Sequence, residues 1–146
     1  FIEGCKNFNI NIKKEWICED IYPPEKAFEK LNELLITNNL PTAIITTNNN
    51  ITKKIYLYAK ELNIKIPEQL SVIGFDDFPE NEIFTPPVTS IRQPIFDIGR
   101  IAASILLGKI DGTANSLSKI ILKSELIIRG SVFSKAHNND IAKQNI

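Results

Sequence analysis

The sequence has no excess of basic residues and no long apolar run, and these absences exclude two broad classes of function. Its 17 Lys and Arg residues balance 17 Asp and Glu residues, which gives a formal net charge of zero. A nucleic-acid-binding surface needs a basic excess, so we do not expect this segment to contact DNA itself. No apolar run approaches the roughly 18 residues of a membrane span, and no membrane contact is expected.

Residues that carry nucleophilic, metal or phosphate chemistry are also scarce. Cys5 and Cys18, with His137 as the sole histidine, match no zinc-binding spacing. The six glycines form no dinucleotide or phosphate fingerprint, and no G-x-S-x-G motif is present. These absences predict a protein that is not an enzyme and holds neither metal nor cofactor. We expect the cysteines to be reduced thiols packed as small hydrophobic side chains, with a disulfide as the alternative.

Methionine is absent as well, so the chain has no initiator residue and starts at Phe1 in mid-pattern. We therefore interpret the chain as a piece of a longer polypeptide. No signal peptide opens it, which gives no support to secretion and favours a cytoplasmic location.

Short apolar runs alternate with helical patterns along the chain, which predicts an α/β fold. Strands are predicted at 16–18, 42–46, 72–75 and 88–91, short β runs at 119–122 and 125–128, helices at 23–36, 51–62 and 94–106, and an irregular loop at 79–87. Strand–helix–strand alternation with short connections is typical of right-handed βαβ units. We therefore predict a parallel sheet flanked by helices, followed by a polar tail at 135–146.

The apolar strand at 72–75 ends abruptly in two carboxylates, Asp76 and Asp77. Ligands of open α/β sheets bind just beyond the carboxyl ends of such strands. Because adjacent strand residues point to opposite faces, the two carboxylates are not expected to act as an acid/base pair. Asp76 is the candidate that accepts hydrogen bonds from a polyol or a base, while Asp77 caps the loop or a helix. The alternative is that both are turn residues.

Two other strand ends carry side chains that suit recognition of hydroxyl groups or rings. Asn48 follows the strand at 42–46 and can either cap the next helix or contact a ligand. Tyr22 follows the strand at 16–18 and can either stack on a sugar or base or belong to the core.

Four stretches, in the same order, resemble motifs of the lactose/galactose repressor (LacI/GalR) family of transcriptional regulators. PTAIITTN at 41–48 resembles its P-T-A-I-F-x-x-N-D, and IPEQLSVIGFDD at 66–77 resembles its V-P-x-D-I-S-V-V-G-F-D-D. PPVTSIRQP at 86–94 resembles its P-P-L-T-T-V-x-Q-P, and LIIRGS at 126–131 resembles its closing L-V-x-R-x-S. The resemblance covers roughly residues 1–134 and is weakest before residue 20.

This resemblance implies a parent regulator with an N-terminal helix-turn-helix and a two-lobed sensor of the periplasmic-binding-protein-like type I fold. Residues 1–134 would form a partial effector-binding and dimerisation domain, mostly the C-terminal lobe. Residues 88–110 would cross to the N-terminal lobe and residues 119–131 would return, with Pro86 and Pro87 in the hinge.

The resemblance also implies a ligand site and a dimer surface. The ligand-binding residues would be Asp76 and Asn48, which bind polar groups of the effector, Tyr22, which stacks on it, and Ile95, which forms an apolar wall. The dimer surface would include Ile51, Ile55, Ile83 and Phe84.

Several positions depart from the family pattern. Phe1 stands where members often have an arginine. Either an expected ligand-binding cation is missing there or the chain end is artificial. Asn49 replaces the usual aspartate after Asn48. On the dimer face, Lys53 replaces an apolar residue and Lys54 replaces a glycine. These departures leave the effector type open.

Together these patterns predict the effector-sensing portion of a repressor-like, DNA-binding regulator. A sugar or similar small polar effector would bind between the lobes of a homodimer and modulate operator binding by a module absent from this chain. The alternative is a sugar-binding protein of a transport system, which shares the fold and also binds its ligand between two lobes. The PPVTSIRQP and RGS motifs favour the regulator. A glycoside hydrolase would need an acid/base pair that the sequence does not offer.

Overall fold

The computed structural model describes residues 1–19, 25–36, 39–113 and 119–133. Within these ranges the α-helices are α1 (Ile2–Asn7), α2 (Glu25–Ile36), α3 (Asn49–Glu61) and α4 (Ile95–Ile110). The strands are β1 (Ala43–Ile45), β2 (Ser71–Phe75), β3 (Thr89–Arg92) and β4 (Glu125–Ile127). Short 3₁₀ helices lie at Lys14–Trp16 and Pro79–Glu82.

The strands form one sheet in the order β1-β2-β3-β4. β1, β2 and β3 run parallel, whereas β4 runs antiparallel to β3. The chain therefore has the predicted α/β fold, in which helices flank a sheet with a parallel centre. The antiparallel strand β4 makes the sheet mixed.

The core lies between the middle of the sheet and helix α3. Leu70, Val72 and Val88 are completely buried beside the central strands. Helix α3 packs against β2 and helix α2 packs against α3. The apolar residues of α3 recur at helical spacing, so one of its faces is buried while Leu57 on another face stays exposed.

The strand predicted at 16–18 is wrong, because Trp16 ends a 3₁₀ helix. Ile17 has an extended backbone but pairs with no strand of the described sheet. Instead, the Trp16 indole N–H donates a 3.0 Å hydrogen bond to the carbonyl of Asn39, ahead of β1. This contact fixes the segment beside the loop before β1.

The β run predicted at 119–122 is also absent from the sheet. Arg92, the last residue of β3, pairs with Glu125, the first residue of β4. Residues before Glu125 would have to pair with Gln93 and Pro94, and Pro94 has no N–H to donate and directly precedes α4. The loop predicted at 79–87 holds the short 3₁₀ helix Pro79–Glu82.

Helix α4 contains no buried residue, although most of its residues are apolar. The stretch 88–110, predicted to cross to another lobe, begins inside the sheet, because β3 extends to Arg92. Only residues after Arg92 leave the sheet. Nowhere in the described ranges is a helix both long and apolar enough to cross a membrane. The predicted tail at 135–146 lies outside the described residues.

Candidate ligand-binding site

The carboxyl ends of three parallel strands lie side by side and present three polar side chains. Asn48 follows β1, Asp76 follows β2 and Gln93 follows β3. The register aligns the strand ends, since Ile45 pairs with Ile73 and Phe75 pairs with Ile91. This edge is where ligands bind in open α/β sheets.

Asp76 is held by its backbone and by a neutral neighbour. Its backbone is left-handed, with φ of 69°, and its carbonyl accepts a 3.1 Å hydrogen bond from the amide nitrogen of Asn81. Its Oδ1 atom accepts a 2.7 Å hydrogen bond from Nε2 of Gln93. No ion pair of the described residues involves this carboxylate. Asp76 therefore offers acceptor capacity that no cation of the described residues neutralises.

Asn48 caps helix α3 and still keeps a free donor. Its Oδ1 atom accepts a 3.0 Å hydrogen bond from the backbone N–H of Ile51. Its side-chain nitrogen makes no hydrogen bond with the part of the chain that the structure describes. Capping and ligand contact, the two interpretations of this residue from sequence, are thus compatible.

Two buried threonines hold the backbone of Asn48 in place through hydrogen bonds. The hydroxyls of Thr46 and Thr52 lie 2.7 Å apart, and the Thr52 hydroxyl donates to the carbonyl of Asn48 at 3.1 Å. These bonds fix the turn between β1 and α3. Sequence reasoning missed Thr52, because a threonine inside a helix carries no distinctive pattern.

Ile95 and Gln93 flank Pro94 at the start of α4. The side chain of Ile95 is 65% exposed, so it offers an apolar surface beside the polar strand ends. Gln93 was not predicted as a site residue, although it belongs to the PPVTSIRQP motif. Tyr22 lies outside the described residues. Phe1 is exposed, and its side chain supplies no charge.

Asp77 does not cap a loop or a helix, as the sequence suggested, but joins an ion-pair network. Its Oδ1 atom accepts hydrogen bonds from the Ser90 hydroxyl at 2.5 Å and from Arg129 Nη1 at 2.7 Å. Its Oδ2 atom accepts from Nε of Arg92 at 2.9 Å and from Nη2 of Arg129 at 3.2 Å. Adjacent carboxylates thus have different partners: Asp77 takes two guanidinium groups and Asp76 takes a neutral amide.

The Asp77 side chain is only 4% exposed and that of Arg129 is 12% exposed. The hydrogen bonds from Arg129 hold the pKa of Asp77 well below its usual range, against the opposing effect of burial. The same hydrogen bonds raise the pKa of Arg129. Both groups are therefore charged at neutral pH, and this carboxylate is occupied rather than available to a ligand.

Two of the four predicted dimer-surface residues lie in the core. Ile51 is 8% exposed and Ile55 is 5% exposed, because both belong to the buried face of α3. They pack inside the chain and present almost no surface to a partner, so the described structure leaves them little part in a dimer surface.

The other two predicted dimer residues have different environments. Ile83 is 79% exposed. Phe84 packs against the core, with its ring centroid 4.7 Å from that of Tyr56. Burial raises the pKa of Tyr56 to about 12, and its hydroxyl donates to the carbonyl of Pro86 at 2.9 Å. Ile83 thus remains available on the surface, and Phe84 supports the loop that carries it.

Residues 1–132 match the description of a periplasmic binding protein-like domain. The chain belongs to this family. Over 137 residues it is 34% identical to the HTH-type transcriptional repressor PurR of Haemophilus influenzae (strain PittEE), across 92% of this chain and 41% of that repressor. It is also 34% identical over 134 residues to the repressor of the same name from Actinobacillus pleuropneumoniae serotype 3 (strain JL03), across 90% of this chain and 40% of that protein.

Solved structures agree with this family assignment. A regulatory protein of the LacI family from Chloroflexus aggregans superimposes with a TM-score of 0.79 at 30% identity, across 90% of this chain and 48% of that one. A putative LacI transcriptional regulator from Bacillus cereus subsp. cytotoxis has a TM-score of 0.82 at 23% identity, across 90% and 47% of the two chains, and shows the shared fold. The LacI/GalR resemblance is confirmed. The chain spans about two fifths, 41%, of the curated repressor it matches.

Proposed function

We propose that this chain is the effector-sensing portion of a DNA-binding transcriptional regulator, and that its effector is a sugar or a similar small polar molecule. The observation that carries this proposal is the Asp76 carboxylate, which has a neutral amide partner and lies at the shared edge of three parallel strands. Similarity to curated repressors supports the regulator role.

The polarity of the site favours hydroxyl groups as the recognised feature. Asp76 offers acceptor oxygens, and Asn48 offers a donor because its own oxygen caps α3. Gln93 uses its nitrogen on Asp76, which leaves its oxygen as a second acceptor. A hydroxyl group both donates and accepts, so a polyol can satisfy all three side chains. Ile95 would meet an apolar face of the ligand, and Tyr22 would stack on it.

A second lobe would complete the site and cover helix α4. The apolar face of a helix is normally buried against another element. Phe96, Leu106 and Ile110 are exposed on α4, and Ile121 is exposed in the segment that follows it. We propose that residues 93–113 and 119–124 contact an N-terminal lobe and that the ligand binds between the lobes. Pro86 and Pro87, which precede β3, would lie in the hinge between them. Residues 1–134 would then be a partial effector-binding domain.

DNA binding would be performed by a helix-turn-helix outside this chain, since the net charge here is zero. Such a regulator works where the DNA is, in the cytoplasm. A homodimer would form through the surface that carries Ile83, supported by Phe84. Lys53 lies near this surface, and its Nζ atom lies 3.8 Å from a carboxylate oxygen of Glu80. This ion pair lowers the free-energy cost of placing a lysine at a dimer surface.

The alternative function is that of a sugar-binding protein of a transport system. Reading the coding sequence upstream of Phe1 separates the two. An in-frame helix-turn-helix supports the regulator, whereas a cleavable signal segment supports the transport protein.

The effector proposal needs the full-length polypeptide and a panel of monosaccharides, disaccharides and nucleobases. Thermal shift assays identify the compound that stabilises the protein, and calorimetry measures its affinity. Asp76→Asn should keep the fold, because asparagine tolerates the left-handed backbone at this position. It should weaken binding by about 1.5–3 kcal/mol, the range for hydrogen bonds to charged groups. Glu68→Gln, which changes an exposed carboxylate in the connection before β2, is the matched control. Unchanged affinity in Asp76→Asn would remove this carboxylate from the site.

A further inference from the structure

Asp77 contacts residues from two other strands or their immediate continuations. It follows β2 directly after Asp76, and its carboxylate binds Ser90 and Arg92 of β3. The same carboxylate binds Arg129, which follows β4. Arg129 in addition donates a 2.9 Å hydrogen bond to the carbonyl of Val88. The Asp77 cluster, defined here as Asp77, Ser90, Arg92 and Arg129, therefore bridges β2, β3 and the end of β4.

The Asp77 cluster lies where the chain leaves the sheet and where it returns to it. The chain leaves the sheet after Arg92, forms α4, and returns at Glu125. Because Arg92 pairs with Glu125, the exit and the return are neighbours at one edge of the sheet. Arg92 Nη1 also lies 3.8 Å from the Glu125 carboxylate. We call the chain between Arg92 and Glu125 the excursion. It is joined to the sheet by two adjacent strands, β3 and β4.

We propose that Asp77 is a positioning residue. By binding Arg92 and Arg129, it ties both ends of the excursion to strand β2, which precedes Asp76, and we call this arrangement the latch. One carboxylate holds Arg92 at the exit and Arg129 beyond the return. Asp76 and Asp77 share a peptide bond, so a ligand that shifts the Asp76 backbone shifts the latch as well. The transmission of a ligand-driven shift from Asp76 to Asp77 rests on the sensor role proposed above. The contacts of Asp77 themselves can be tested without any ligand.

A second attachment limits what the latch can control. The Ser131 hydroxyl donates to the carbonyl of Val72 at 2.6 Å and accepts from the N–H of Thr89 at 2.8 Å. These bonds hold the chain after Arg129 to β2 and β3 without using Asp77. Loss of the latch should therefore loosen residues 119–129 and leave Ser131 and β2 in place.

Hydrogen exchange with mass spectrometry on the full-length polypeptide tests this proposal. In Asp77→Asn, peptides covering 119–129 should exchange at least about tenfold faster, because local opening of β4 becomes easier. Peptides covering β1 and β2 should keep their protection. Asp97→Asn, which breaks an exposed Asp–Arg pair on α4, is the control and should leave the peptides covering 119–129 and the sheet unchanged.

A second variant keeps the test decisive if Asp77→Asn fails to fold. Of the two ion pairs of Asp77, Arg92→Gln removes only the one with the half-exposed Arg92. It should speed exchange at 119–129 by a smaller factor than Asp77→Asn does. Equal exchange in wild type and Arg92→Gln, or faster exchange spread evenly over the whole sheet, would overturn the latch. Either result would leave the effector proposal untouched, because that proposal depends on Asp76 and not on the strength of this cluster.

Discussion

Asp77 and Arg129 are separated by 52 positions in the sequence, yet Oδ1 of Asp77 and Nη1 of Arg129 lie 2.7 Å apart. Both side chains are almost fully buried. A buried charge needs a partner and further hydrogen bonds to offset the loss of hydration. Asp77 meets this need with Ser90 and Arg92 as well, so removal of its charge should affect more than one contact.

Asp77→Asn should lower the free energy of unfolding by about 3–5 kcal/mol, because it leaves the buried guanidinium of Arg129 without its main counter-charge. Urea denaturation followed by circular dichroism measures the change. The control is Asp97→Asn, whose pair with Arg100 is exposed and should contribute roughly 0–1 kcal/mol. Similar losses in the two variants would contradict the importance of burial at Asp77.

The pKa shift of Asp77 predicts an acid-dependent loss of stability. Its folded-state pKa lies well below the usual value of 3.8. A carboxylate with a depressed folded-state pKa stabilises the protein above its unfolded-state pKa, and this contribution disappears as the pH falls through the folded-state pKa. Unfolding free energies of the wild type should therefore decrease below about pH 5. In Asp77→Asn the decrease should be smaller, and urea titrations between pH 7 and the acid limit of folding compare the two. Parallel curves would contradict this assignment.

Much of the sheet and part of the site could be predicted from local sequence. Short apolar runs bounded by turn residues located β1, β2, β3 and β4 to within a few residues. The position of Asp76 at the end of β2 followed from the same pattern, because a strand end is a local property. The cap at Asn48 was also predictable, since its oxygen bonds an N–H only three residues away.

Features that depend on distant contacts could not be predicted in this way. The burial of Ile51 and Ile55 in the core is one example, because helical periodicity marks an apolar face without saying what covers it. The role of Asp77 depends on Arg129, whose proximity arises only when β4 joins the sheet. Residues 119–122 have strand-like composition but pair with no strand of the described sheet. In each case the deciding neighbour is far away in sequence.

Asn48 allows helix capping and ligand contact to be separated by two substitutions. Asn48→Ala removes the cap and should destabilise the protein by about 1 kcal/mol. Asn48→Asp keeps an acceptor for the Ile51 N–H and suits the positive end of α3, so its stability should stay close to wild type. Urea denaturation of the chain measures both effects.

The same pair of variants tests the donor role of Asn48 in the full-length polypeptide. Both substitutions remove the side-chain nitrogen, so both should weaken binding of whichever compound the thermal-shift panel identifies. Calorimetry with that compound measures the loss. Wild-type affinity in Asn48→Asp would show that Asn48 serves as a cap alone.

Gly74 lies inside β2, where an added side-chain carbon would be tightly packed. A Cβ atom there would lie 3.3 Å from Cγ1 of Val88 and 3.4 Å from Oγ1 of Thr52, and both of these residues are fully buried. Gly74→Ala should therefore destabilise the protein by about 1–3 kcal/mol through overpacking. Gly99→Ala is the matched control, since nothing lies within 4 Å of its added Cβ. Because Gly99 is inside α4, this control should gain about 0.5–1 kcal/mol. Thermal and urea denaturation compare the two, and a stabilising Gly74→Ala would show that Val88 and Thr52 can move apart.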